Sequence, residues 1–311
     1  MEYPFWRKDK FSSFGLMFFR FSAALIFALS IGASLSFGAI AEFEKKFPLR
    51  FLCNYNFVSF WSSEFNKGAM SSNRPVDVGL GFGYRDLYFD FIYSLPFTTG
   101  HDRSKSVAFE TGLDFFPGNW WLQTKYRRYS GFTAGGKIDE NGDKSEYIFV
   151  DLWQRDMYLS ALWMATADEY FTPRAAYFLD LKQETSAGSW IVGGRFQSVM
   201  AKDHSGYLPF YSHSRETYST WVDLGYTYSW VYDNGMFINL WGIAGIAIGS
   251  DEDASEALLL PEVIAKMAWG SIGETWSWNM VMEMEYMPEV FDHHWEQKLV
   301  AAFKILVVRR F

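Results

Sequence analysis

Three groups of residues carry side chains with chemical potential. The first lies around the histidines. Of the five, His204 and His213 sit near Ser205, Ser212, Ser214 and Asp203, while His101, His293 and His294 stand apart. A serine activated by a histidine is how a lipid hydrolase at a membrane would build its nucleophile. No nucleophile-elbow pattern accompanies the pair, and serine and histidine are ordinary loop residues, so the expectation is that the chain is not an enzyme. His293 and His294 are consecutive and would point to opposite sides of a strand, which prevents joint chelation. The second group is acidic. Asp139-Glu140-Asn141-Gly142-Asp143 starts like a calcium loop, but Gly142 takes the fourth place and Val150 stands where the bidentate glutamate belongs. Asp251, Glu252, Asp253 and Glu256 form a second acidic run. Both read as solvated loops, and neither a metal nor a cofactor is expected. The third group is the largest: acidic Asp77, Asp90, Glu110, Asp114, Asp223, Glu283 and Glu285, with basic Lys125, Arg127, Lys182, Arg195 and Lys304. These share one parity of a strongly alternating sequence.

That alternation identifies the elements that must position them. Val76, Val78, Leu80, Phe82 and Tyr84 alternate with Asp77, Gly79, Gly81 and Gly83. Val222, Leu224, Tyr226, Tyr228 and Trp230 alternate with Asp223, Gly225, Thr227 and Ser229. Trp276, Trp278, Met280, Met282 and Met284 oppose Ser277, Asn279, Glu283 and Glu285. Successive strand residues point to opposite faces, so each segment has one apolar face and one small or polar face. A soluble sandwich also alternates. Aromatics near the strand ends, glycine with charge on the other face, and lengths close to the roughly 9–11 residues of a tilted spanning strand favour a membrane barrel. A closed barrel is the sheet that satisfies its own backbone in lipid. Trp120, Trp121, Trp241, Trp276 and Trp278 read as girdle or packing residues.

The expected fold is therefore an all-β antiparallel transmembrane barrel of about 14 strands. Its segments lie near 50–60, 76–84, 87–95, 106–116, 120–130, 146–153, 156–166, 174–184, 189–200, 217–232, 236–248, 258–269, 274–287 and 296–311. Short connections include Arg85-Asp86, Pro117-Gly118-Asn119, Gln154-Arg155 and Asp233-Asn234-Gly235, alternating with longer ones. An alternative of 12 strands omits 50–60 and 146–153. Short turns and both termini would face the periplasm, and the long loops would face outward.

The 311 residues carry a formal charge of −8, which opposes a nucleic-acid partner. The single cysteine, Cys53, excludes a disulfide framework and any multi-thiolate metal site. Residues 1–41 read as a signal peptide: a basic flank (Arg7, Lys8, Lys10, Arg20), an uncharged apolar stretch from Phe21, and the small-x-small pattern Ala39-Ile40-Ala41. Residues 42–311 form the expected barrel, with bacterial outer-membrane location.

Pro75-Val-Asp-Val-Gly-Leu-Gly-Phe-Gly-Tyr84 followed by Leu87-Tyr-Phe-Asp-Phe91 resembles the opening of an uncharacterised bacterial family, domain of unknown function four-four-two-one. Gln183-Glu-Thr-Ser-Ala-Gly-Ser189 with Gly193-Gly194 resembles its central motif. The resemblance covers roughly residues 74 to 311 and implies an outer-membrane barrel without a catalytic residue. Terminal Phe311 with Phe303 resembles the signal read by the barrel-assembly machinery, and Arg309 departs from it. The expected partners are that machinery and outer-membrane lipids. The expected role is structural or passive and porin-like, through a narrow, partly plugged channel with acidic and basic walls opposed. The alternatives are a lipid-modifying outer-membrane enzyme and a surface-binding module acting through its external loops.

Overall fold

The computed structural model describes residues 40–62, 70–72, 76–95, 107–134, 148–167, 170–204, 214–251, 258–291 and 294–311. Its strands are β1 (Ile40–Glu42), β2 (Pro48–Ser62), β3 (Met70–Ser72), β4 (Val76–Tyr84), β5 (Leu87–Ser94), β6 (Val107–Phe115), β7 (Trp120–Ala134), β8 (Ile148–Met164), β9 (Leu181–Gln183), β10 (Ala187–Asp203), β11 (Arg215–Val231), β12 (Met236–Asp251), β13 (Leu258–Ile272), β14 (Trp276–Phe291) and β15 (His294–Arg310). Thirteen of them form one antiparallel sheet, made of twelve wall strands and the short β3, which closes when β15 pairs with β2 along Glu296–Arg310. Closure leaves no free edge, so every wall strand finds backbone partners on both sides.

The wall is uneven. β4, β5 and β6 have 9, 8 and 9 residues, whereas β2 and β7 have 15 each. Beyond the ends of the short strands, β3 bridges β2 and β7 directly: Phe60 pairs with Met70, and Met70 with Ala134. The extra strand completes a ladder that would otherwise expose backbone groups at this rim.

The strand number is twelve rather than fourteen, and the lost pair is not the one the alternative omitted. The segment 50–60 is a full strand. The segments 146–153 and 156–166 are a single strand, β8, in which Gln154 and Arg155 pair with Tyr129 and Arg128 on one side and with Ala201 and Met200 on the other. The expected turn there lacks the glycine, proline or asparagine that would stabilise a reversal. Both polar side chains suit a strand, because Gln154 points inward and is buried while Arg155 points outward. The segment 174–184 is not a wall strand. Residues Arg174–Phe178 form one π-helical turn after Pro173, Leu179 adopts a left-handed φ of 58°, and β9 then pairs with β1. This connection lies at the same end of the barrel as the short turns, so 167–173 is not an opposite-end loop as expected. Of the expected signal peptide, residues 1–39 lie outside the described residues, and Ile40 and Ala41 belong to β1.

Parity assigns the faces. Phe51, Leu80, Phe82, Phe91, Leu159, Val222, Leu224, Ile246 and Met282 are exposed on the outside. Trp120, Trp163, Trp190, Trp269 and Trp276 are exposed near the short-turn end. One bulge breaks the parity. Between Ser130 and Phe132 the β7 register shifts around Gly131, whose φ of 82° suits a residue without a Cβ. The extra residue turns Phe132 inward, where it is fully buried and meets Phe60 edge-on at 5.4 Å.

Candidate functional site

The barrel interior is the candidate site, and it is built in three layers. At the loop end, Val58, Phe60, Phe132, Leu152, Val199 and Val300 pack as an apolar cluster. At the short-turn end, the connection 170–183 enters the lumen as a plug. Phe178 packs against Tyr88, Phe116 and Trp121 at centroid distances of 4.7, 5.1 and 5.8 Å. Trp241 meets Trp121 edge-on at 5.5 Å. Trp121 and Trp241 are thus interior packing residues, while Trp120 and Trp276 face out.

Polar contacts hold the plug to the wall. The Tyr177 hydroxyl donates to Asn239 Oδ1 at 2.6 Å, and Asn279 Nδ2 donates to the Ala176 carbonyl at 2.6 Å. Arg310 donates to the Leu179 carbonyl. Arg174 forms a latch at the rim: its guanidinium reaches Asp180 at 2.6 Å, Asp86 at 2.6 Å and the Arg85 carbonyl at 3.1 Å. Burial opposes charge on Arg174, and the Asp180 carboxylate more than reverses that, so its pKa rises above the ordinary arginine value. Tyr88 donates to Asp180 from the wall.

Between these apolar ends lies the charged layer. Glu110 accepts from Lys125 at 2.6 Å and lies 3.3 Å from Arg127. Arg127 also reaches Glu285 at 3.1 Å, joining β7 to β14 across the barrel. Glu283 sits between Lys266 at 2.7 Å and Lys304 at 2.5 Å. Arg195 contacts Glu262 at 2.7 Å and Asp223 at 3.9 Å. Lys298 meets Asp156 at 2.7 Å, tying β15 to the non-adjacent β8. Arg50 pairs with Asp90 at 3.1 Å. Asp77 accepts from Ser94 at 2.8 Å and from Asn56, and Asp114 accepts from Trp121 Nε1 at 2.8 Å and Gln123 Nε2 at 2.7 Å. Isolated charges in so confined a space would be costly, and pairing offsets that cost.

The structure thus brings eleven of the twelve expected interior charges into the lumen: Asp77, Asp90, Glu110, Asp114, Lys125, Arg127, Arg195, Asp223, Glu283, Glu285 and Lys304. Lys182 is different. It lies on β9 rather than on the wall, is 42% exposed, and stands 3.7 Å from Glu184. The expected opposition of acidic and basic walls is also corrected. Lys125 and Arg127 lie beside Glu110 on the adjacent strand, because antiparallel register puts Gly112 opposite Lys125 and Glu110 opposite Arg127. Residues missed from the expected set are Arg50, Asp156, Glu262, Lys266 and Lys298. Strand parity alone would have placed Lys266 with Glu262, and Lys298 with Lys304.

A polar cavity of about 110 Å³ remains beneath the plug, bordered by Arg50, Asn54, Asp90, Lys125, Tyr177 and Asn279. Asn54, Asp90 Oδ1 and Asn279 Oδ1 have buried polar atoms with no protein partner. Its size and chemistry suit a few water molecules.

The histidine grouping does not assemble within the described residues. Asp203 is buried on the inward parity and His204 is exposed. Ser205, Ser212 and His213 lie outside the described residues, as do His101, His293, the 139–143 acidic run and residues 252–256. Among the described residues no group of acidic, histidine and cysteine side chains is arranged to hold a metal.

Several solved outer-membrane structures share the general shape at low similarity. The translocator domain of the autotransporter NalP from Neisseria meningitidis is 9% identical with a TM-score of 0.42, covering 96% of this chain and 97% of that one. The beta domain of the Bordetella autotransporter BrkA is 10% identical with a TM-score of 0.41, covering 86% and 100%. An outer-membrane channel from Pseudomonas putida F1 is 10% identical with a TM-score of 0.35, covering 89% and 97%. Likeness at this level transfers no activity. No curated protein matches the chain. The family profile described as "Domain of unknown function (DUF4421)" matches residues 40–288, and the chain belongs to that family.

Proposed function

We propose that the protein is a bacterial outer-membrane β-barrel with a sealed lumen, serving a structural or surface role rather than steady passive flow. The observation that carries this is the double closure of the interior. Lys298–Asp156 and Arg127–Glu285 tie opposite walls together across the interior, and the 170–183 plug fills the short-turn end. The outward apolar band and the tryptophans near the short turns support residence in a bilayer. The same reading puts the termini and plug in the periplasm and the loops outside, with membrane lipids and the barrel-assembly machinery as partners. It assigns no catalytic residue.

The test is electrical. The purified full chain, shown to be folded by heat-modifiable gel migration and reconstituted into planar bilayers, should give no steady ion conductance. Stable open levels in the wild type would refute the sealed reading and restore the porin-like one.

A further inference from the structure

The outward wall carries a basic cluster that the interior network does not use. Arg128 on β7 and Arg155 on β8 are direct register partners. Like charges opposite one another on a sheet repel, so this pairing costs stability unless an anion joins them. Glu216 relieves one side only: it contacts Arg155 at 3.3 Å and accepts from Ser198 at 2.7 Å. Arg128 is exposed and lies over the Trp153 ring at 5.4 Å, and no carboxylate among the described residues pairs with it. Lys202 is the register partner of Trp153 and adds a third cation on the same face. Arg155 Nε and Trp153 Nε1 also lack acceptors. Both atoms are covered, so an incoming anion would first meet the guanidinium ends.

The height of this cluster is informative. Arg128 and Arg155 each stand eight residues along their strands from Trp120 and Trp163 at the opposite girdle. At about 3.3 Å per residue and a tilt of about 40°, that is about 20 Å along the barrel axis. An apolar band is about 25 Å tall, so the backbone at these positions lies about 5 Å short of its far boundary, and the long arginine side chains can reach the level where lipid headgroups begin. Guanidinium groups bind phosphate oxygens in a bidentate fashion, and a dianion would neutralise both members of the pair.

We infer that Arg128 and Arg155, with Lys202 beside them, bind the phosphate of a lipid headgroup in the external leaflet. This rests on the membrane orientation proposed above. Folded full-length protein in detergent is incubated with bisphosphorylated lipid A and bound lipid is counted by native mass spectrometry, with chemically dephosphorylated lipid A and inorganic phosphate as parallel probes. Retention of the phosphorylated lipid, weakened by about tenfold or more in Arg128→Gln/Arg155→Gln and unchanged in Lys46→Gln, is expected. Equal retention of the dephosphorylated lipid, or an undiminished double variant, overturns the inference. So does displacement of the lipid by millimolar inorganic phosphate, which would mark a free-anion site. If the double variant loses heat-modifiable migration, Arg128→Gln alone, at an exposed position, is judged by the same criteria. Vesicle insertion of the wild type is scored separately: failure to insert defeats the membrane reading, whereas insertion without phosphate discrimination defeats only this inference.

Discussion

Removing Lys298 tests whether the barrel interior is dry. Its ammonium is wholly buried, 2.7 Å from Asp156, which is 1% exposed, and it lies 5.7 Å from the Phe60 ring. At that separation the attraction between unit charges is about 1.5 kcal/mol in bulk water and about 6 kcal/mol at an effective dielectric of 20. A water-filled pore therefore predicts a pair coupling of no more than about 1 kcal/mol, as for exposed pairs. A sealed lumen predicts that Lys298→Met strands the Asp156 charge and costs about 3–5 kcal/mol. Asp156→Leu removes the carboxylate that Lys298 meets at 2.7 Å and should also destabilise the fold. The double variant removes both charges and should fall near the wild type or above it, since well-packed apolar replacements of buried pairs are often neutral. The assay is reversible denaturant unfolding in lipid vesicles, followed by tryptophan fluorescence and gel mobility and analysed as a double-mutant cycle. A coupling below about 1 kcal/mol would show a hydrated interior and refute the argument for a sealed barrel.

Two further outcomes follow from the wall and the plug. Arginine at Leu224 or Met282, which are 55% and 54% exposed on the outside, should reduce stability in vesicles by about 2–4 kcal/mol if these positions lie at the bilayer midplane. Folding yields equal to those of Leu224→Ile and Met282→Leu would show that the face assignment is wrong. Arg174→Ala should release the latch and leave the largely buried Asp180 carboxylate with the Tyr88 hydroxyl but no guanidinium, costing about 1.5–3 kcal/mol. Hydrogen exchange across 174–183 should quicken while β11–β13 keep their protection, and unchanged exchange in that segment would remove the latch role.

The sequence alone determined which way the wall faces. Alternation in β4, β11 and β14 placed Leu80, Leu224 and Met282 outside and Asp223, Glu283 and Glu285 inside, because a strand has only two faces and the closed barrel turns the apolar one outward. Closure, in general terms, also followed from the need to satisfy backbone groups without water. What alternation could not reveal was how far each strand ran. Gln154-Arg155 is locally as polar as a turn, yet it continues β8 because partners on both sides supply its hydrogen bonds. Nor could alternation identify the plug. Arg174–Phe178 leaves the wall because Tyr88, Trp121, Asn239 and Asn279, remote in sequence, offer it rings and hydrogen-bond partners inside the lumen. Gly131 shows the same limit from the opposite side, since one extra residue reversed the parity and buried Phe132. The pairing of the charges was likewise a tertiary outcome. Lys298 and Asp156 are 142 residues apart, and only the circumference and register of the closed barrel bring them face to face.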